Sequence, residues 1–168
     1  MELGRLTNMI FVFMLPTLAV ADQATEGKLP VHEAAKAASL ERVQALLDAG
    51  EDINKKDEYG HTPLMSALMH ANSDLAKLLI AKGADINAAS EDGNTALHHA
   101  IAFYNHKSVV KLLIDKGAKI NVQNWEGWTP LHEATAPGHP RDLSGGLIER
   151  DIAEMLISNG AKVNVLST

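Results

Sequence analysis

Apolar residues fall along the chain in four blocks: Val43, Leu46 and Leu47; Leu75, Leu78, Leu79 and Ile80; Val109, Val110, Leu112, Leu113 and Ile114; and Ile152, Met155, Leu156 and Ile157. Recurrence at three- and four-residue steps puts each block on one face of an amphipathic helix. Each block runs into a glycine, Gly50, Gly83, Gly117 or Gly160, where a left-handed residue ends a helix without a Cβ penalty. A second signal stands ahead of three of the blocks: Gly60-His61-Thr62-Pro63-Leu64, Gly93-Asn94-Thr95-Ala96-Leu97-His98 and Gly127-Trp128-Thr129-Pro130-Leu131-His132. A threonine hydroxyl suits an N-cap, and a proline suits the first helical position, where no donor is lost. The pattern predicts helix pairs, a first helix opening at Thr-Pro and a second carrying the apolar stripe.

The threonine signal repeats after 33 residues (60 to 93) and then 34 (93 to 127). In phase with it run Asp48-Ala49-Gly50, Gly83-Ala84-Asp85-Ile86-Asn87, Gly117-Ala118-Lys119-Ile120-Asn121 and Gly160-Ala161-Lys162-Val163-Asn164. A period of this length belongs to stacked helical repeats. One helix pair cannot bury its own apolar face, so the copies must stack into a curved solenoid. The two markers together resemble the ankyrin repeat, over about residues 29 to 168. The resemblance implies an all-α solenoid of four stacked helix-turn-helix repeats with short hairpin tips. The repeats fall at about 29–59, 60–92, 93–126 and 127–168, the last holding ten extra residues within 137–148. It also implies that His32, His98 and His132 tie neighbouring turns together, with Met65 in that place in the second copy, and that the tips and the exposed side of the first helices form a concave binding face.

Residues 6–20 do not fit the repeats. Met9, Ile10, Phe11, Val12, Phe13, Met14, Leu15 and Leu18 follow Arg5 and precede Ala19-Val20-Ala21, the short apolar core and small-residue end of a secretory signal. The run is shorter than the roughly 20 residues needed to span a bilayer. Cleavage after Ala21 is expected, with residues 22–28 as an N-terminal segment, a periplasmic or secreted destination and no stable membrane insertion afterwards. The absence of cysteine fits export, because no wrong disulfide can form.

Composition narrows the function. The chain is 46% hydrophobic but 4% aromatic, so the core must be aliphatic. Fifteen basic against 21 acidic residues give a net charge of −6, which argues against nucleic acid, since phosphates call for a basic stripe. A basic partner is the more natural one. Neither a nucleophile elbow nor a phosphate loop is present, and eight histidines are the only catalytic chemistry on offer. None shares one predicted helix with an acidic partner at i, i+4 as a helical zinc site would. The expectation is no enzyme, no cofactor and no metal.

Aromatic placement points to the site. Past the leader only Tyr59, Phe103, Tyr104, Trp125 and Trp128 remain, and none lies in a second-helix stripe. Tyr59, Trp125 and Trp128 sit at the tips, and Phe103 and Tyr104 at the end of a first helix. Tryptophan and tyrosine dominate interface energies. Two readings stand for Trp128, packing on the next hairpin or contacting a partner. Glu33, Ser66, His99 and Glu133 share one first-helix position, and Lys36, Met69, Ala102 and Ala136 share another one turn on. The expected contact residues are Tyr59, His99, Phe103, Tyr104, Trp125 and Trp128, concentrated on repeats three and four and rimmed by Glu58, Glu91, Asp92 and Glu126. The breaker-rich insertion at 137–146 reads as a loop, either for binding or simply tolerated.

The chain therefore reads as an exported, monomeric protein-binding module. In one version it scaffolds or protects a periplasmic enzyme, as resemblance to bacterial periplasmic ankyrin proteins linked to catalase implies. Another makes it an inhibitor of a toxin or a secreted effector meeting a host protein. From a different class, His99, His106 and His139 would serve a metal or small-ligand binder.

Overall fold

A computed structural model describes residues 30–103, 107–136 and 147–164. Eight helices in four pairs make up its regular structure: α1 (Pro30–Lys36), α2 (Leu40–Asp48), α3 (Pro63–Met69), α4 (Ser73–Ala81), α5 (Ala96–Ala102), α6 (Lys107–Asp115), α7 (Pro130–Thr135) and α8 (Leu147–Ser158). The first helices stack in one layer, α1 on α3, α3 on α5 and α5 on α7; the second helices stack in another, α2 on α4, α4 on α6 and α6 on α8. This is the expected all-α solenoid. The leader, the segment 22–28, Tyr104, His106 and the insertion at 137–146 with His139 lie outside the described residues.

Helices of 6 to 12 residues are too short to be stable alone, since isolated helices need roughly 12–15 residues even with good propensity. Packing must hold them. The core is aliphatic and continuous through all four pairs, and the first helices contribute as heavily as the second. Leu64, Met65, Leu68, Leu97 and Ile101 are buried alongside Leu75, Leu79, Val109, Val110, Leu113, Ile152 and Leu156. The sequence pattern singled out the second helices because their stripes are longer. It passed over alanines such as Ala34, Ala67, Ala100 and Ala134, which are buried in the first layer. One stripe residue departs from expectation: Ile157, on α8, is exposed.

The repeats are also registered by hydrogen bonds at the glycine ends of the second helices. The Asn54 side-chain oxygen accepts from the Asp85 N–H at 2.7 Å. Asn87 repeats this with Lys119 at 2.8 Å, and Asn121 with Lys162 at 2.8 Å. The same asparagines donate onward, Asn87 to the Gly117 carbonyl and Asn121 to the Gly160 carbonyl. The recurring asparagine is thus a rung between repeats. Gly50, Gly83, Gly117 and Gly160 beside these rungs all have φ near +90°.

Candidate protein-binding face

Three hairpin turns form a row beside the first helices, and all are built alike. Over residues 57–60, 90–93 and 124–127 the glycine N–H donates to the carbonyl of the turn's first residue, each at 3.0 Å. The first residue's N–H donates to the carbonyl just past the glycine: Asp57 to His61, Ser90 to Asn94 and Asn124 to Trp128, each at 2.9 Å. A four-residue turn closed by a left-handed glycine is a common hairpin solution. The first side chain reinforces it. Asp57 Oδ1 accepts from the N–H of Tyr59 and His61 at 3.0 and 2.8 Å, and Asn124 Oδ1 from Glu126 and Trp128 at 3.0 and 2.9 Å. In the middle turn the Ser90 hydroxyl bonds the Asn94 carbonyl and the Asp92 carboxylate instead.

Successive turns are zipped together by backbone. Glu91 N–H donates to Tyr59 O and Trp125 N–H to Asp92 O, both at 3.0 Å. This approach demands glycine: a Cβ on Gly60 would lie 2.8 Å from the Glu91 nitrogen, and one on Gly93 3.0 Å from the Asn124 Cα. Because backbone and capping groups hold the turns, the middle side chains other than Asp92, whose carboxylate accepts from Ser90 and Asn94 within its own turn, take no part in closing them. The six middle side chains, Glu58 and Tyr59, Glu91 and Asp92, Trp125 and Glu126, are all exposed. Tyr59 is 60% and Trp125 79% accessible.

A run of rings continues from the turns onto the first helices. Tyr59 lies 6.0 Å from His61, His61 meets His99 edge-on at 5.5 Å, and His99 stacks on Phe103 at 5.8 Å between centroids. Phe103, the capping residue just past α5, is 36% accessible. His99 differs from its sequence reading. Only 5% of it is accessible, because the neighbouring repeat's His61 and its own helix's Phe103 cover it. Ser66 and Glu133, at the same repeat position, are buried too, whereas Glu33 on α1 is exposed. The outward-facing first-helix position is the next turn's Lys36, Met69, Ala102 and Ala136, exposed or half-buried. Polarity suggested exposure at position 99, but the adjacent repeat decided it.

The electrostatics follow from burial and bonding. Burial lowers the His99 pKa to about 4, with His61 adding to the effect and Asp92 opposing it; its Nε2 is buried without a hydrogen-bond partner. Burial also lowers His98. Thr95 supplies both its N–H (3.2 Å) and its hydroxyl (3.0 Å) to His98 Nδ1. Since a backbone N–H can only donate, Nδ1 is the acceptor, and Nε2–H donates to the Trp128 carbonyl at 3.1 Å. His32 reaches the His61 carbonyl in the same way at 2.9 Å. Its Nδ1 is buried without a partner, and the residue three before it is Leu29 instead of threonine. For Asp57 and Asp92, burial works to raise the pKa. Hydrogen bonds win in both, from the His61 and Tyr59 N–H groups and from Ser90 and Asn94, and hold both carboxyls below the usual range.

Trp128 is half-buried, and its backbone is the part that the fold uses, accepting from His98 and donating to Asn124. The turn-opening residues Asp57, Ser90 and Asn124 escaped the sequence reading. Their signal was available as a small polar residue three places before each glycine. Among the described residues no group of three or more His, Asp or Glu side chains is placed to hold a metal ion. No described helix is long and apolar enough to cross a membrane.

The chain matches the family model for ankyrin repeats (three copies) over residues 7–90 and 87–167, and it belongs to the ankyrin repeat family. A comparison with curated proteins finds no match. Ankyrin repeats are generally protein–protein interaction modules, typically without catalytic activity.

Proposed function

We propose that this chain is an exported, monomeric, non-catalytic binding protein that holds a protein partner against its hairpin turns and the adjoining first-helix face. Tyr59, Phe103 and Trp125 make the principal contacts. Trp128 lies at the edge of the contact, and His99 backs Phe103 from beneath. Tyr104, next to Phe103 in the sequence, is a further proposed contact residue. The observation that carries the reading is the exposure of Tyr59, Phe103 and Trp125 in a protein with an aliphatic core. Large rings left facing water are the side chains that dominate interfaces. Export rests on the apolar run at residues 6–20 and Ala19-Val20-Ala21.

Two measurements test this. Mass spectrometry of protein from outside the cytoplasm should find a first residue of Asp22; an intact Met1 on cytoplasmic protein would remove export from the proposal. With a partner purified, Trp125→Ala and Phe103→Ala should each weaken affinity by about 2 kcal/mol or more, the size of an interface hot spot. Unchanged affinity in both variants would put the binding face elsewhere.

A further inference from the structure

The six outward side chains of the three turns are four carboxylates and two aromatic rings. Glu58 stands beside Tyr59, Glu91 beside Asp92, and Trp125 beside Glu126. No lysine or arginine is among them. Lys56, just ahead of the first turn, is engaged across the repeat with the Ala89 carbonyl at 2.7 Å; Lys55 beside it is exposed. The turns are locked edge to edge by the Glu91–Tyr59 and Trp125–Asp92 backbone bonds, so rings and carboxylates form one strip of fixed order.

From this arrangement we infer that the partner presents a cationic, arginine-bearing extended segment to the turn strip, with a guanidinium on the face of Trp125 between Asp92 and Glu126. The inference rests on the turn face being the binding face. The ring and the carboxylates ask for the same ligand. An aromatic face attracts a cation, and carboxylates form charge-assisted hydrogen bonds with it. A planar guanidinium satisfies both at once by stacking on the ring while its edge N–H groups reach the acids. A purely apolar segment would cover Trp125 only by stripping water from the exposed carboxylates beside it, which is unfavourable. An acidic segment would meet like charge at every turn. Asp92 is prepared for the role, because the Ser90 hydroxyl and the Asn94 backbone and side chain hold its oxygens in place.

The test uses the full chain and a defined probe, a nine-residue peptide alternating arginine and serine, with a glutamate–serine peptide of equal length as control. Binding is followed by tryptophan fluorescence and calorimetry at low and at high salt. The arginine peptide should bind and the glutamate peptide should not. Trp125→Ala should weaken binding about tenfold, as loss of a partly desolvated cation–π contact does. Glu126→Gln should weaken it about threefold, and added salt should weaken it further. Glu41→Gln, which removes an exposed charge from α2, should leave it unchanged. Failure of the arginine peptide to bind at millimolar concentration, equal binding of the glutamate peptide, or indifference to Trp125→Ala would each overturn the inference. If the purified partner still depends on Trp125 and Phe103 in that case, the binding face stands and only its cation preference falls. If it depends on neither, the face itself is misplaced.

Discussion

The helix stack and the turn row are stabilised by different physics. In the stack, short helices that could not stand alone are held by burying leucine, isoleucine, valine and alanine, so the volume of nearly every side chain matters. In the turn row the burden falls on backbone hydrogen bonds, on the capping side chains of Asp57, Ser90 and Asn124, and on glycines that permit close approach. Apart from Asp92, which is bonded to Ser90 and Asn94, the side chains at the middle of each turn are left exposed. A binding surface can therefore change residue by residue there without disturbing the fold. In the stack the same changes would open cavities. The histidines join the two regions, reaching from first helices to turn carbonyls.

Acid should attack that junction first. His99, His98 and His32 all have folded-state pKa values lowered by burial from 6.5. The unfolded chain then binds more protons than the folded one as pH falls below about 6.5. The stability these groups contribute is complete above that value and is lost as pH falls toward the folded pKa, about 4 for His99. His99 alone corresponds to about 3 kcal/mol over that interval, and the other two act in the same direction. Asp57 and Asp92, held below the usual carboxyl range, begin to lose their contribution only under about pH 4. Denaturant melts at pH 7 and pH 4.5 should show the loss in wild type and a smaller loss in His99→Leu. Equal losses would mean that His99 does not carry the linkage.

Core truncation sharpens the contrast from the other side. Leu64 in the first layer and Leu113 in the second are both fully buried, so Leu64→Ala and Leu113→Ala should each cost about 2 to 5 kcal/mol. Urea unfolding measures both. A cost under about 1 kcal/mol for Leu64→Ala would mean that the first layer adds little to the core.

The glycines offer a finer comparison. Gly83 at a helix end has φ +90° with open space around it, whereas Gly60 in a turn has φ +74° and the Glu91 backbone 2.8 Å from where a Cβ would sit. Gly83→Ala should cost about 1 to 2 kcal/mol, the left-handed penalty alone. Gly60→Ala should cost about 1 kcal/mol more, since the clash adds to the same penalty. Thermal melts of both variants, with hydrogen exchange at the Glu91 N–H, would detect the parting of the turns. Equal costs would show that the turn row yields easily.

The smallest effect belongs to the largest exposed ring. Trp125→Ala should change unfolding free energy by less than about 0.5 kcal/mol, as surface substitutions do. A loss near that of Leu113→Ala would make the ring a packing element and erase the division between stack and turns.

What the sequence determined by itself was everything local. Thr62-Pro63, the glycines at 50, 83, 117 and 160, and the apolar stripes act within a few residues, through caps, left-handed φ and helical spacing, so helix pairs and their period could be read directly. The tips and their aromatics were legible for the same reason. Decisions between repeats needed the tertiary structure. Asn54 reaches a backbone N–H at residue 85, His98 a carbonyl at residue 128, and His61 covers His99 from the preceding repeat. Position 99 thus turned from expected contact to buried support, and Ile157 from core to surface. Burial of a side chain in a solenoid depends on the repeat stacked against it, and no spacing within one repeat encodes that neighbour.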